Sequence, residues 1–381
     1  MSSGDFVRQM PLGVSGSSLR ATMWQRLHID PYLFLLLIIL TGVGLFVLYS
    51  ASGQSLATVK RQATFFFIAY SAMFFVAQIN VDMMRRWSPF VYVLGLVLLV
   101  AVLFAGTVGK GAQRWLDIGG FRFQPSEIMK LIMPLATAWF LAERVLPPRL
   151  KDVVAALAIA IVPAVLIFRQ PDLGTAILVA AAGLFCLFFA GLSWRYIAAV
   201  GGLVAVATPI MWFFVMHEYQ KRRVLTLFDP ESDRLGAGWN IIQSMTAIGS
   251  GGVEGKGYLQ GSQSALNFLP ESHTDFIIAV LAEEFGLIGV VGLLILYLLI
   301  LVRGLVIGMS AQSTFARLVA GAVSMTFFVY VVVNMGMVSG ILPVVGVPLP
   351  LVSQGGTSLV TLMMGFGILM AISTEQRRLA R

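Results

Sequence analysis

The side chains able to do chemistry in this chain are few, and most stand in or beside apolar stretches, where an ionisable group is costly unless it is paired or reaches water. Glu127 and Lys130 are three residues apart at the start of one such stretch, so a helix there places them on one face within pairing reach. The pair either fixes how that helix packs or holds a polar cavity open beside Arg114 and Trp115. Asp172, in RQPDLGT, opens another apolar run. It can cap the free N–H groups of a helix beginning at Leu173 or, with Arg169 in the same short turn, face a cavity between helices. Asp275 follows FLPESHT at the mouth of a third run, and Glu283 and Glu284 lie deeper in it. On a helix Glu283 is turned about 80° from Asp275 and Glu284 points roughly the opposite way. An acid at the rim, preceded by Glu271 and His273 below a long loop, suits a general base acting on an incoming hydroxyl, and it also suits a cap. Lys221, Arg222 and Arg223 form a triplet that would neutralise a diphosphate at headgroup depth or simply be solvated.

The composition excludes most other chemistry. Of 381 residues 58% are hydrophobic and only 12% charged, with a mean hydropathy of +0.88, against about 25% charged in a soluble domain. Apolar runs recur along the whole chain, which makes this an all-α polytopic membrane protein; a β-barrel needs alternating polarity. Cys186 is the single cysteine and His28, His217 and His273 are scattered, so neither a disulfide nor a zinc-type cluster is expected. No phosphate-cradling P-loop or strand-borne G-x-G-x-x-G is present, so an activated substrate should arrive from the membrane. The net charge of +8 is spread beside apolar segments instead of forming one patch, which argues against nucleic acid. The first 30 residues are polar and the run after them is too long for a signal-peptide core, so it is expected to remain as the first span.

These residues must be positioned by ten predicted transmembrane helices, at 31–50, 63–79, 88–108, 126–143, 152–169, 173–190, 195–216, 275–302, 314–335 and 355–374. The expected organisation is an N-terminal segment 1–30, a single membrane domain 31–374 and a tail 375–381. Lys and Arg are about twice as frequent on the side that holds the termini, which predicts that both termini are cytoplasmic. Loops 109–125, 217–274 and 336–354 then lie outside, the longest between the seventh and eighth spans. The segment 340–358 is apolar but interrupted by Pro343, Pro348 and Pro350, so it cannot be a continuous helix and is expected to cap a cavity.

The strings GKGAQRWLDIG, FQPSEIMK, QPDLGT, DPESDRLGAGWNIIQS, FLPESHTDFIIAVLAEE and NMGMVSGILPVVGVPLPLVSQGG resemble the SEDS family (shape, elongation, division and sporulation) from about residue 26 to 375. The resemblance implies a ten-span bundle in the bacterial cytoplasmic (inner) membrane that polymerises lipid II into glycan strands at the outer face during elongation. It puts the family's essential acid at Asp275, within the string that holds His273, and substrate-binding roles at Arg114, Trp115, Glu127, Lys130, Asp172 and His273. It further implies lipid II and polyprenyl-diphosphate-linked glycan as ligands, a class B penicillin-binding protein and other elongation-complex proteins as partners, and a divalent cation, magnesium or manganese. The chain departs from the family's PLVSYGG by carrying Gln354 after Ser353. Glycosyl transfer from a diphosphate is an inverting displacement with a good leaving group, so one base and cationic stabilisation suffice where a glycosidase needs two carboxylates. A flippase moving the same lipid, a division-type role and a non-catalytic scaffold are the rival readings.

Overall fold

The computed structural model describes residues 24, 27–109, 112–118, 121–216, 218–233, 237–261 and 272–379. Most of the 1–30 segment, His217, Glu271 and the end of the tail lie outside them.

Helices α1 Pro31–Ala51, α2 Leu56–Ala77, α3 Val81–Ala105, α4 Pro125–Ala142, α5 Leu150–Phe168, α6 Leu173–Phe189 and α7 Trp194–Ile210 overlap the first seven predicted runs, although α2 and α3 each begin seven residues before the apolar run because their first turns are polar. Two further helices, α8 Glu218–Phe228 and α9 Ala237–Gly251, occupy the long loop. The last three runs are α10 Ile277–Met309, α11 Thr314–Val338 and α12 Thr357–Leu379. Among the described residues six helices, α1, α3, α5, α10, α11 and α12 as far as Glu375, are long and apolar enough to cross a membrane. Five helix starts follow the capping rule: the side chains of Asp30, Ser55, Asn80, Asp172 and Ser313 each accept a backbone N–H from the first turn.

Two features depart from an all-α chain with one plain outer loop. The first is a small antiparallel meander of β1 Thr107–Gly109, β2 Ala112–Ile118 and β3 Phe121–Phe123, which joins α3 to α4 and carries Arg114 and Trp115. QRWLDI has no clean period of two and is bounded by glycines, so the sequence pattern does not announce the strand. The second is the 217–274 loop, whose α9 is pinned to the end of α11 by Ser244 Oγ donating to the Val338 carbonyl at 2.8 Å.

Helix α10 is broken at Gly286 (φ 62°, ψ −158°), and the segment after α9 is laid into the break. The amides of Leu287 and Ile288 donate to the carbonyls of Gly252 and Val253, while those of Lys256 and Gly257 donate to Glu283 and Glu284. Two intrahelical bonds are thus exchanged for four between strap and helix. The close approach requires glycine, since a Cβ at Gly251 or Gly255 would fall 2.0 or 2.2 Å from a carbonyl oxygen of α10.

Helices α1 and α10 run antiparallel and are fastened at both ends. Arg303 pairs with Asp30 at one end, and Ser50 donates to Glu284 at the other. The seven residues of α10 before Glu284 therefore project roughly 10 Å beyond the end of α1 at 1.5 Å per residue. All of them are buried in protein. The turn that leads into this projecting half-helix carries Asp275.

Candidate active site

Three polar clusters gather at the end of the bundle where α4 and α6 begin. In the first, Lys130 Nζ lies 2.7 Å from Glu127 Oε1, both side chains buried, as the spacing predicts. Thr361 of α12 donates to the other Glu127 oxygen at 3.3 Å, and the Lys130 ammonium sits 5.1 Å from the ring centre of Tyr330 on α11. Lys130, Tyr330 and Thr361 line a cavity between α4, α11 and α12, whose other walls include Phe327, Gly365 and Phe366.

In the second, Asp172 does cap α6, with Oδ1 accepting from the Thr175 amide. Its other oxygen faces Gln124 Nε2 at 3.0 Å and Arg114 at 3.9 Å. Arg114 reaches this turn from β2 and also donates to the carbonyls of Gln170 and Pro171. Asp172 thus caps α6 and at the same time faces a cation, which is Arg114 and not the nearby Arg169. Trp115 lies half-buried on the same strand, where its carbonyl accepts from the Thr107 hydroxyl.

The third cluster is the Asp275 turn. The carbonyl of His273 accepts from the Gln354 amide at 2.9 Å, and the carbonyl of Asp275 accepts from Asn334 Nδ2 at 2.9 Å. The same Asn334 nitrogen donates to Val347 at 2.7 Å. Gly346 holds φ +75°, and a Cβ there would come 3.5 Å from the Asp275 carboxylate oxygen Oδ2. The turn is therefore bonded edge-on to the 340–356 segment, which is non-helical as its prolines require and forms a roof over Tyr330 and Leu362. Val345 and Val347 of this roof also rest on the α6 N-terminus, where a Cβ at Gly174 would meet Val347 at 3.0 Å.

Helix α11 joins the clusters. Asn334 touches the Asp275 turn and Tyr330, four residues earlier on the same face, touches Lys130, which is about 6 Å along the helix. Glu283 and Glu284 are turned away from this assembly, Glu283 to Lys256 at 2.7 Å and Glu284 to Ser50 and the Leu259 amide. Of the basic triplet, Lys221 pairs with Glu218 at 3.3 Å, while the side chains of Arg222 and Arg223 lie outside the description. Among the described residues no three or more potential ligands gather as a metal site. Gln124, Tyr330, Asn334 and Thr361 are the members of the assembly that sequence reasoning did not single out. Gln124 and Asn334 stand inside the strings FQPSEIMK and NMGMVSG, but an uncharged side chain in an apolar run raises no electrostatic alarm.

Comparison with known proteins agrees with this architecture. Residues 31–378 match the FtsW, RodA and SpoVE family model, described as "Cell cycle protein". The chain is 53% identical over 362 residues to peptidoglycan glycosyltransferase MrdB of Escherichia coli K12, covering 95% of this chain and 98% of the relative. It is 36% identical to the probable peptidoglycan glycosyltransferase FtsW of Trichlorobacter lovleyi, covering 90% and 93%. A chain from a peptidoglycan synthase complex that coordinates polymerization and crosslinking superposes with a TM-score of 0.80 at 30% identity, over 91% of this chain and 98% of the other. The rod shape determining protein RodA of Thermus thermophilus superposes with a TM-score of 0.69 at 28% identity, over 91% and 97%. With a family model and full-length relatives matching across the bundle that builds the three clusters, the chain belongs to the FtsW/RodA/SpoVE (SEDS) family of multi-pass membrane proteins.

Proposed function

We infer that this protein is the elongation-type peptidoglycan glycosyltransferase of its cell, polymerising lipid II at the outer face of the cytoplasmic membrane. The observation that carries the reading is the single face of α11 that joins an acid at the rim, Asp275, to a buried cation, Lys130. The greater identity to MrdB than to the FtsW relative favours elongation over division.

In this reading Asp275 accepts the proton of the acceptor sugar hydroxyl as its oxygen attacks the anomeric carbon of the donor. The C–O bond to the diphosphate breaks on the opposite face, and the diphosphate departs with the bonding pair. Lys130 and Arg114 offer positive charge to the diphosphates, and burial strengthens their effect. Glu127 and Asp172 hold those cations in place, and His273 lines the acceptor side of the turn. A divalent cation would take most of its shell from diphosphate oxygens and water, because the described residues form no cage for one. All ten apolar helices cross the membrane, with both termini in the cytoplasm. A class B penicillin-binding protein is the partner the family reading supplies, and the likeness to a chain from a peptidoglycan synthase complex supports it.

Purified protein given fluorescent lipid II tests the activity: glycan ladders on a gel establish a polymerase, whereas leaflet exchange without polymer establishes a flippase. Topology is tested with Gln54→Cys and Gln312→Cys, both at exposed turns. An impermeant thiol reagent should label position 54 in intact spheroplasts and spare 312, and the reverse pattern overturns the orientation.

A further inference from the structure

Asn334 lies wholly buried on α11, four residues before the helix ends. Its Nδ2 has two hydrogens and spends one on the carbonyl of Asp275 and the other on that of Val347, at 2.9 and 2.7 Å. These acceptors belong to two segments that no sheet or helix joins: the turn before α10 and the proline-broken roof. Both are non-helical there, so no helix supplies these carbonyls with a donor, and Val347 is buried. The roof residue next to Val347 is Gly346, which at φ +75° lies beside the Asp275 carboxylate, so that a Cβ there would be in ordinary contact with Oδ2 at 3.5 Å. On the far side of Asp275 the turn is also tied to the roof by the Gln354 amide, which donates to the His273 carbonyl. Fixing the backbone on both sides of an acid fixes where its carboxylate can go.

We propose that Asn334 is a positioning residue for the transfer reaction, a crossbar that holds the Asp275 turn against the 344–348 roof so that the carboxylate meets the acceptor hydroxyl. The inference rests on Asp275 being the base, and it concerns the rate of the chemical step, not lipid binding. A displacement of about 1 Å at a reacting group costs roughly 100-fold in rate.

The test compares Asn334→Ala in the wild-type and Asp275→Glu backgrounds, using folded protein purified in detergent, with Asp275→Asn alongside. Asn334→Ala should lower kcat for lipid II polymerisation about 10- to 100-fold while KM stays within about threefold, the split expected when a transition-state interaction is lost. In the Asp275→Glu background, where the longer side chain has already moved the carboxylate, the same change should cost less than about threefold, because residues acting through one another are not additive. Full activity in Asn334→Ala, or the same fold loss in both backgrounds, overturns the crossbar and leaves a merely structural amide. Near-wild-type activity in Asp275→Asn overturns the base assignment and the crossbar with it, whereas an inactive Asp275→Asn beside a fully active Asn334→Ala overturns the crossbar alone.

Discussion

The two ends of the bundle each bury a partnered ion pair, and they differ in the polar atoms around it. At the end where α1 starts, Asp30 is fully buried and accepts from the Leu33 amide, from both Nε and Nη2 of Arg303, and from Ser373 Oγ. Arg303 also lies over the Tyr32 ring, and His28 is bonded to Thr374 beside this knot. At the other end Lys130 faces a cavity, and three of the five buried side-chain atoms that lack a partner among the described residues lie there: Gln170 Oε1, Glu284 Oε2 and Asn334 Oδ1. None of the five belongs to the Asp30 knot. Native interiors rarely leave such atoms unpaired, and their absence from the Asp30 knot is consistent with the proposed assignment of the Lys130 end to substrate and of the knot to scaffold.

This contrast can be tested by substitution, and the largest effect is expected at Asp275. The α10 N-cap position is Phe276, with no side-chain cap bond, so Asp275 is not held as a cap; Asp275→Asn retains size and hydrogen bonding but cannot take a proton, and polymerisation should fall about 10²–10⁴-fold. Membrane insertion and melting temperature should stay as in the wild type; activity within a few-fold of wild type removes Asp275 from the mechanism. Next come Glu127→Gln and Lys130→Met, each of which strands the other charge in a buried site at a cost of about 3–5 kcal/mol. The double variant should regain much of that stability, since no charge remains unpaired, yet stay inactive. A double variant that recovers polymerisation as well would reduce the pair to packing.

The Asp30 knot should respond in the opposite sense. Asp30→Asn is expected to lose about 2–3 kcal/mol of stability, less than a wholly buried pair because the Arg303 side chain is 25% exposed, while kcat per folded molecule changes by less than threefold. Burial opposes the Asp30 charge, but the Arg303 guanidinium, the Leu33 amide and the Ser373 hydroxyl together hold its carboxyl below the usual carboxylate range. The native state therefore binds this proton less readily than the unfolded chain. Its contribution is fully present above about pH 4 and is lost as pH falls through the lowered native value. Acid titration of detergent-solubilised protein should show that loss in the wild type and not in Asp30→Asn. The smallest effect is predicted for Ser50→Ala, which removes one hydroxyl from Glu284 and should cost about 1–2 kcal/mol with polymerisation unchanged. A large drop in activity there would extend the functional end to the strap.

What the sequence by itself determined are the features carried by neighbours along the chain. Apolar runs of membrane length located the helices, the i, i+3 spacing placed Lys130 on Glu127, Asp172 stood where a cap belongs, and prolines forbade a helix across 340–356. Each follows from local geometry or from the cost of an unpaired group in an apolar surrounding. Tertiary structure alone decided which distant partner satisfies each remaining charge. Asp172 faces Arg114, 58 positions away, in preference to Arg169 three positions away, and Glu284 takes Ser50 and the strap in preference to the Asp275 turn. It also decided that α10 breaks at Gly286 and that Asn334 ties two irregular segments together. Such contacts join residues tens to hundreds of positions apart and impose no period on the sequence between them. They arise only when packed helices bring the backbone groups left over at their ends within hydrogen-bonding distance.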